Sequence, residues 1–213
     1  HFYKTALANA PDRVKVQQQI MRVFHAQLLS KQQSKLQLSN EVLKDITIRK
    51  GAESLLYYRT AFEHPMKKGE EKMLYALGGL MQLSNDIFDV YKDHKNGIST
   101  LVTTATKIKQ LRFLYSALLR IGIEAANRSG YPKRNVKQFL GIISIGIFSR
   151  CYVCLDQLGV NEKRSGNVFD PKQYQRKDLV CDMDTAKNKW RSLRYHLRIA
   201  NGKMTSLIPK PVK

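Results

Sequence analysis

Acidic residues are scarce in this 213-residue sequence, which has 17 Asp and Glu against 37 Lys and Arg and a formal net charge of +20. A charge this positive suits a protein that binds nucleic acid, an anionic membrane surface or a phosphorylated substrate. A solvated basic face without a partner explains it equally well. Composition alone therefore leaves all of these explanations open.

Cysteine is also scarce. The three cysteines are an odd number and the sequence shows no signal-peptide pattern, so we expect a cytoplasmic protein without a disulfide framework. Cys151 and Cys154 form a CxxC pattern, but no second pair occurs, and a zinc site usually needs four such ligands. We therefore expect both side chains to be buried as small apolar groups.

Long apolar runs are absent, since no stretch approaches the ~20 residues that a membrane-spanning helix requires. The longest candidate, Phe139–Phe148 (FLGIISIGIF), is short and predicts a buried helix. No glycine-rich phosphate loop and no nucleophile elbow occur. The enzyme classes that depend on those motifs are therefore not indicated.

Helix-forming residues are abundant, and no alternating pattern of strand length occurs, so we predict an all-α fold of long helices. Asn40 is expected to cap the second helix and Pro132 to lie near the first turn of the fifth. Residues 1–200 are expected to form one domain, followed by a basic tail at 201–213. The predicted helices are 11–37, 40–62, 70–93, 100–128, 132–158 and 180–200, with a loop at 160–179.

The segment Gln82–Asp93, QLSNDIFDVYKD, concentrates polar oxygen atoms on one predicted helix. Asn85, Asp89 and Asp93 are spaced i, i+4, i+8 and so form a stripe about two turns long, with Asp86 at its edge. Like charges along a stripe are unfavourable unless a cation lies among them. Such ligands suit Mg²⁺ completed by phosphate oxygen atoms. The alternative is an exposed polar face.

The run NDIFDVYKD resembles the second metal motif of class I isoprenoid synthases. Asn85-Asp86-Ile87-Phe88-Asp89 stands where trans-prenyl diphosphate synthases have DDxxD on a helix. Asn85, Asp89 and Asp93 match the spacing of the metal-binding triad of terpene cyclases. Gln82 matches the glutamine that commonly precedes the prenyl synthase motif, and the longer run QLSNDIFDVYKDHKNG is similar to the squalene and phytoene synthase pattern.

Two other segments carry the resemblance. Arg49-Lys50-Gly51 resembles the Lys-Thr segment that lies about one helix before the acidic motif in prenyl synthases. The resemblance implies that Lys50 binds diphosphate, with Arg49 as a helper. Arg194-Tyr195, in the last predicted helix, resembles the Arg-Tyr pair that closes over diphosphate in bacterial terpene cyclases.

The resemblance covers residues 40–101 and, beyond them, only the helical character. It implies an isoprenoid synthase fold, in which antiparallel helices surround a central cavity. It also implies an enzyme that ionises an allylic prenyl diphosphate with the help of Mg²⁺ and then transfers or cyclises the prenyl group.

The resemblance also assigns roles to individual residues. The catalytic and metal-binding group would be Asn85, Asp89 and Asp93, with Asp86 as a further catalytic residue. Lys95 would join Arg49, Lys50, Arg194 and Tyr195 at the diphosphate. The substrate pocket would include Tyr57, Tyr58, Gln82 and Phe88.

One departure from the family bears on activity. Family members carry a first Asp-rich motif on an earlier helix, and residues 1–80 contain no such cluster. We expect either that this motif precedes His1, so that the chain is the C-terminal portion of a domain, or that the chain is a noncatalytic relative.

The expected partner is a prenyl diphosphate rather than nucleic acid, and peripheral membrane contact and a homodimer stay open. A hypothesis from another class is a noncatalytic basic helical module that binds nucleic acid or an anionic membrane. It predicts binding that falls steeply with salt and is indifferent to Mg²⁺.

Overall fold

The computed structural model describes residues 8, 10, 12–34 and 37–202. This part of the chain is helical and contains no β-strand, which confirms the predicted all-α class. The predicted basic tail lies outside the described residues except for Asn201 and Gly202. The α-helices from residue 12 onward are α1 (Arg13–Ser30), α2 (Asn40–Arg59), α3 (Glu70–Phe88), α4 (Val90–Lys95), α5 (Ile108–Asn127), α6 (Lys133–Ile143), α7 (Ser149–Arg164), α8 (Arg176–Leu179) and α9 (Ala186–Ala200).

Side-chain caps set the starts of α1, α2 and α9. The Ser39 hydroxyl accepts a hydrogen bond from the backbone N–H of Val42, so Ser39 caps α2 and Asn40 is its first helical residue. The prediction of Asn40 as the cap was therefore wrong by one position. Asp12 caps α1 and Thr185 caps α9 in the same way. Each of these side chains satisfies a backbone N–H that the helix leaves unpaired.

The fourth predicted helix begins eight residues later than expected, at Ile108. Thr103 explains the delay, because its hydroxyl donates to the Ile98 carbonyl at 2.9 Å and accepts from the Thr100 N–H at 2.8 Å. Local hydroxyl bonds of this kind compete with helical hydrogen bonds. The predicted loop at 160–179 is also shorter than expected, since α7 continues to Arg164.

α3 lies at the centre of the fold and packs on different elements with its two faces. On one face Leu77 contacts α5 at Gly122, and Ser84 Oγ lies 3.1 Å from the hydroxyl of Tyr115 in α5. Leu80 and Leu83 are fully buried in the same apolar core. The other face of α3 meets α2.

α2 and α3 contact each other through their backbones. A Cβ added at Gly51 would overlap the carbonyl oxygen of Gly78 and lie 2.8 Å from Cβ of Gln82. A Cβ at Gly78 would lie 2.6 Å from the carbonyl oxygen of Gly51. The two helices therefore approach this closely only because both positions lack a side chain. Glycine lowers the stability of a helix interior, and the close packing of α2 on α3 offsets this loss at Gly51.

A buried ion pair ties the end of α2 to the start of α3. Arg59 Nε donates to Glu70 Oε1 at 2.5 Å, and the two side chains are only 10% and 4% exposed. The second carboxylate oxygen of Glu70 accepts from the Lys67 N–H at 2.7 Å and from the Tyr131 hydroxyl at 2.8 Å. Burial on its own would raise the pKa of Glu70, but the hydrogen bonds from Arg59, Lys67 and Tyr131 hold it below its ordinary value. Glu70 is thus a fully bonded carboxylate.

The apolar run Phe139–Phe148 is not buried throughout, which corrects the prediction made from its length. Phe148 is 1% exposed, whereas Ile142 is 63% and Ile145 is 48% exposed. A π-helical segment, Ser144–Phe148, joins α6 to α7. The continuous helix Lys133–Arg164 has the length and composition to cross a membrane, with 44% of its most apolar stretch buried in the fold.

Removing the Glu70 charge should destabilise the protein. Glu70→Gln leaves Arg59 as a buried charge without its partner, and we expect the free energy of unfolding to fall by about 3 kcal/mol. Chemical denaturation measures this loss. The matched control, Glu124→Gln, breaks an exposed pair with Arg120 and should cost less than about 0.5 kcal/mol. Equal effects of the two substitutions would contradict the buried role of Glu70.

Adding a methyl group at Gly51 should force α2 and α3 apart. We expect Gly51→Ala to lower the free energy of unfolding by about 3 kcal/mol. The added Cβ would overlap the backbone of Gly78, which cannot move aside by rotating as a side chain can. Gly141→Ala is the control, since a Cβ at this position in α6 meets nothing within 4 Å. That substitution should stabilise the helix by about 0.5–1 kcal/mol, because alanine loses less backbone entropy than glycine.

Candidate functional site

The acidic stripe spans the junction between α3 and α4. Asp89 lies between the two helices with φ −92° and ψ 8°. The backbone hydrogen bonds nevertheless continue through the junction, since Asp89 N–H donates to the Asn85 carbonyl and Asp93 N–H to the Asp89 carbonyl, both at 2.8 Å. Asn85, Asp89 and Asp93 therefore keep nearly helical spacing and one direction.

Asp86 is the buried member of the group, at 5% exposure. Gln82 Nε2 donates to one of its carboxylate oxygen atoms at 2.8 Å, and the Thr47 hydroxyl donates to the other at 3.4 Å. The sequence places Asp86 at the edge of the stripe, whereas the structure places it where α3 meets α2. The Gly51–Gly78 contact explains the difference, because it brings Thr47 within reach of Asp86 across the two helices.

Burial raises the pKa of Asp86 to about 6, and the negative charge of Asp93 adds to that effect. Burial also raises the pKa of Asp93, with a further contribution from the charge of Asp89. Lys50 of α2 acts in the opposite direction on both Asp86 and Asp93. Asp86, Asp89, Asp93 and Lys50 therefore form one group of interacting charges across the α2–α3 contact. We call this group the acidic unit.

Asn85 and Asp89 complete this unit on its solvent side. Asn85 is exposed, and its Nδ2 donates to Asp89 Oδ2 at 3.4 Å. This hydrogen bond leaves the amide oxygen of Asn85 free to act as a ligand, and carboxylate and amide oxygen atoms are the ligands that Mg²⁺ prefers. No group of three or more His, Cys, Asp and Glu side chains in the described part of the chain is arranged to hold a metal. Asn85, Asp89 and Asp93 therefore suit Mg²⁺ by ligand type alone and not by their arrangement.

The remaining residues predicted near the diphosphate are less closely associated with this unit. Arg49 is bound to the exposed Asp45 of its own helix at 2.8 Å. Lys95 is exposed, and its Nζ lies 5.9 Å from the ring centroid of Tyr91. Of these side chains only Lys50 carries a positive charge that acts on both Asp86 and Asp93.

The predicted pocket residues lie in different environments. Tyr58 is 66% exposed, and Tyr57 is half-buried with its ring 5.9 Å from that of Tyr58. Phe88 packs against the apolar core. Gln82 belongs to the acidic unit through its hydrogen bond to Asp86.

The Arg-Tyr pair of α9 lies on the other side of α3. Tyr115 contacts Ser84 of α3 and packs edge-on against Tyr152, with ring centroids 5.3 Å apart. Tyr152 in turn stacks on Tyr195 at 5.0 Å. The side chains of Ser84 and Asp86, two positions apart on a helix, point about 160° away from each other. The structure therefore does not bring Tyr195 to the acidic stripe.

A second charged cluster surrounds Asp156 of α7 and was missed at the sequence level. Arg112 of α5 and Arg191 of α9 both donate to its carboxylate, and the Tyr195 hydroxyl donates at 2.9 Å. A cleft of about 160 Å³ beside it is lined by Asp156, Arg191, Arg194, Tyr195 and Arg198. The i, i+3, i+7 spacing of the three α9 arginines is a signal that predicts one basic face. Nothing in the sequence indicates Asp156 as their partner.

The cysteines behave as expected. Cys151 and Cys154 are buried in α7, and burial raises the pKa of the Cys151 thiol to about 11. Both are small apolar side chains of the core.

Comparison with protein-family models, curated proteins and solved structures found no match to this chain.

The raised pKa of Asp86 should make stability depend on pH. Because its folded pKa lies above its unfolded value, the native state binds more protons between about pH 4 and pH 6, and the free energy of unfolding should fall as pH rises through that window. Asp86→Asn removes this titration. In buffers free of divalent metal the variant should be more stable than the wild type at pH 7, by about 3 kcal/mol at most, and the difference should shrink towards pH 4.

Urea denaturation at a series of pH values measures this difference. Asp45→Asn serves as the control, because the Asp45 side chain is 52% exposed. A pH-independent difference between wild type and Asp86→Asn would contradict the buried, titrating carboxylate.

Proposed function

We propose that this protein binds a prenyl diphosphate at the acidic unit through Mg²⁺, and that it acts as a class I isoprenoid enzyme. The substrate class is an allylic prenyl diphosphate, which the enzyme ionises before prenyl transfer or cyclisation. The proposal joins the motif resemblance of residues 82–93 to the arrangement of charges around them.

The observation that best supports this proposal is the position of Lys50. The resemblance pairs a basic segment with an acidic motif one helix later. In the fold, Lys50 of α2 exerts its charge on both Asp86 and Asp93 of the neighbouring helices. Lys50 would then contact an anion that is bound at the same stripe.

Each residue has a distinct role in the proposed site. Asn85, Asp89 and Asp93 supply oxygen ligands, and Asp86 keeps the end of α3 in place through Gln82 and Thr47. Lys50 neutralises charge on the diphosphate as the bond to the prenyl carbon breaks. Bound Mg²⁺ would supply electrostatic stabilisation of the leaving diphosphate, which is usually the largest contribution to catalysis of this type.

Turnover requires groups beyond this unit. Asn85, Asp89 and Asp93 would supply ligands on one side of the diphosphate only, whereas an ionisation site of this class needs ligands on both sides. Binding of the diphosphate without ionisation is therefore the second candidate, and both candidates require the same acidic unit.

Mg²⁺-dependent binding of farnesyl diphosphate tests the proposal. We expect calorimetric titration to show binding that disappears when EDTA replaces Mg²⁺. Asn85→Ala and Asp89→Ala should each weaken it by about 10-fold or more, since loss of even an outer metal partner commonly costs 10–100-fold. Asp184→Ala is the control, because this carboxylate is 98% exposed on a different part of the fold.

Two measurements distinguish catalysis from binding without turnover. Release of inorganic diphosphate from farnesyl diphosphate would establish ionisation, and binding without release would establish the noncatalytic candidate. Binding that is independent of Mg²⁺, or unchanged in both alanine variants, would refute the proposed site.

A further inference from the structure

Large apolar side chains are exposed on two neighbouring elements of the fold. Ile142, near the end of α6, and Ile145, in the π-helical segment that follows it, are 63% and 48% exposed. Trp190, Leu193 and Leu197 of α9 are 62%, 36% and 50% exposed. Scattered exposed leucines are ordinary, but a contiguous group of this kind marks an interaction surface.

Leu193 and Leu197 of one group lie beside Ile145 of the other. α9 runs antiparallel to the π-segment and α7, because the hydroxyls of Ser192 and Ser149 are 2.8 Å apart and His196 Nδ1 lies 3.1 Å from Ser144 Oγ. Leu193 and Leu197 each directly follow one of these contact residues in the chain. They therefore flank the side of α9 that faces Ser144, next to Ile145. We call Ile142, Ile145, Trp190, Leu193 and Leu197 the apolar face.

The segments that carry the apolar face, α6 with the π-segment and α9, contain basic residues and no acidic ones. No Asp or Glu occurs between Glu124 and Asp156 or after Asp184. Lysines and arginines occur in the same segments, in α6, in α7 and throughout α9: Lys133, Arg134, Lys137, Arg150, Lys187, Lys189, Arg191, Arg194 and Arg198. The apolar face therefore lies on segments whose own charged residues are all basic.

Arg194 and Arg198 provide anion-binding groups at the edge of the apolar face. They line the cleft of about 160 Å³ beside Asp156. Arg191 already binds the Asp156 carboxylate. Neither Arg194 nor Arg198 forms a salt bridge with a carboxylate in the described part of the chain. A phosphate group in this cleft would face both arginines, because the Asp156 carboxylate in the same cleft is bound by Arg112 and Arg191.

This combination favours a membrane surface over the other partners of a basic protein. Nucleic acid would satisfy the arginines but would leave the leucines, isoleucines and tryptophan without a role. A second copy of the chain would also cover the apolar groups. It would, however, bring two basic surfaces together, and repulsion between like charges weakens binding. Helices with tryptophan and leucine on one side and lysine and arginine beside them are typical of the membrane interface.

The helix Lys133–Arg164 does not need to leave the fold for this contact. Its second half is part of the core, where Tyr152, Val153 and Leu155 are fully buried. Ile142 of α6 and Ile145 of the adjoining π-segment are the exposed apolar side chains of this helix that the membrane contact uses. The contact is therefore a surface one.

We infer that the apolar face and the arginines beside it bind the surface of a bilayer rich in anionic phospholipid. Trp190, Leu197 and Ile142 enter the headgroup region, and Arg194 and Arg198 contact lipid phosphates. This inference is independent of the proposed isoprenoid chemistry.

The chain carries its own reporter, because Trp190 is its single tryptophan. Vesicles of phosphatidylcholine and phosphatidylglycerol in equal amounts should shift the Trp190 emission to shorter wavelength and should sediment with the protein. Vesicles of phosphatidylcholine alone should bind about 10-fold or more weakly, because each basic residue near an anionic surface adds to affinity. Soluble glycerol phosphate should leave the emission unchanged.

Two pairs of variants distinguish vesicle binding by the apolar face from attraction by the net charge of the protein. Ile142→Glu with Leu197→Glu should reduce vesicle binding by about 10-fold or more, since charged groups enter the lipid interface at a cost. Val14→Glu, at a position of α1 that is 66% exposed, should not. Arg194→Glu with Arg198→Glu should likewise weaken binding, whereas Lys15→Glu with Arg22→Glu on α1 changes the net charge equally and should have a smaller effect.

Several results would overturn the inference. One is equal loss in the α9 and α1 charge variants, which would indicate attraction by net charge alone. Another is an unshifted Trp190 emission with anionic vesicles. A third is a dimer in solution, by light scattering, that Leu197→Glu converts to a monomer without changing vesicle binding. A shift caused by glycerol phosphate alone would identify a site for soluble phosphate instead.

Discussion

Backbone contact between α2 and α3 at Gly51 and Gly78 determines the geometry on which the candidate site depends. Two helices separated by ordinary side chains lie about 8–10 Å apart, too far for the short Thr47 side chain to reach Asp86. With the glycines in place, Thr47 donates to that carboxylate and Lys50 acts on both Asp86 and Asp93. The acidic unit therefore depends on the absence of side chains at Gly51 and Gly78.

The two faces of α3 contact different parts of the fold. One face carries Gln82 and Asp86 towards α2, where polar groups are paired in a region with little water. The opposite face carries Ser84 into contact with Tyr115, and from there aromatic rings extend through Tyr152 to Tyr195. The candidate diphosphate site and the arginine cleft of α9 are consequently separated by the helix that supports both.

Positive charge in this protein has two structural settings. Arg59, Arg112 and Arg191 are bound to Glu70 or Asp156 and stabilise helix contacts. Arg194 and Arg198 line a cleft at the surface beside exposed apolar groups. The first setting involves two of the 17 acidic residues, Glu70 and Asp156. The second leaves a strongly basic surface, which is the part of the +20 charge that the membrane proposal explains.

The amino-acid sequence by itself determined the helical class, because helix-forming residues and apolar spacing act over neighbouring positions. It also determined the direction shared by Asn85, Asp89 and Asp93, since helical spacing alone sets it. Only tertiary structure decided that Asp86 is buried, that Tyr195 pairs with Asp156, and that Ile142 and Ile145 face outwards. Each of these depends on which helix lies opposite, and in this chain that is decided by contacts between residues as distant as Gly51 and Gly78 or Ser149 and Ser192.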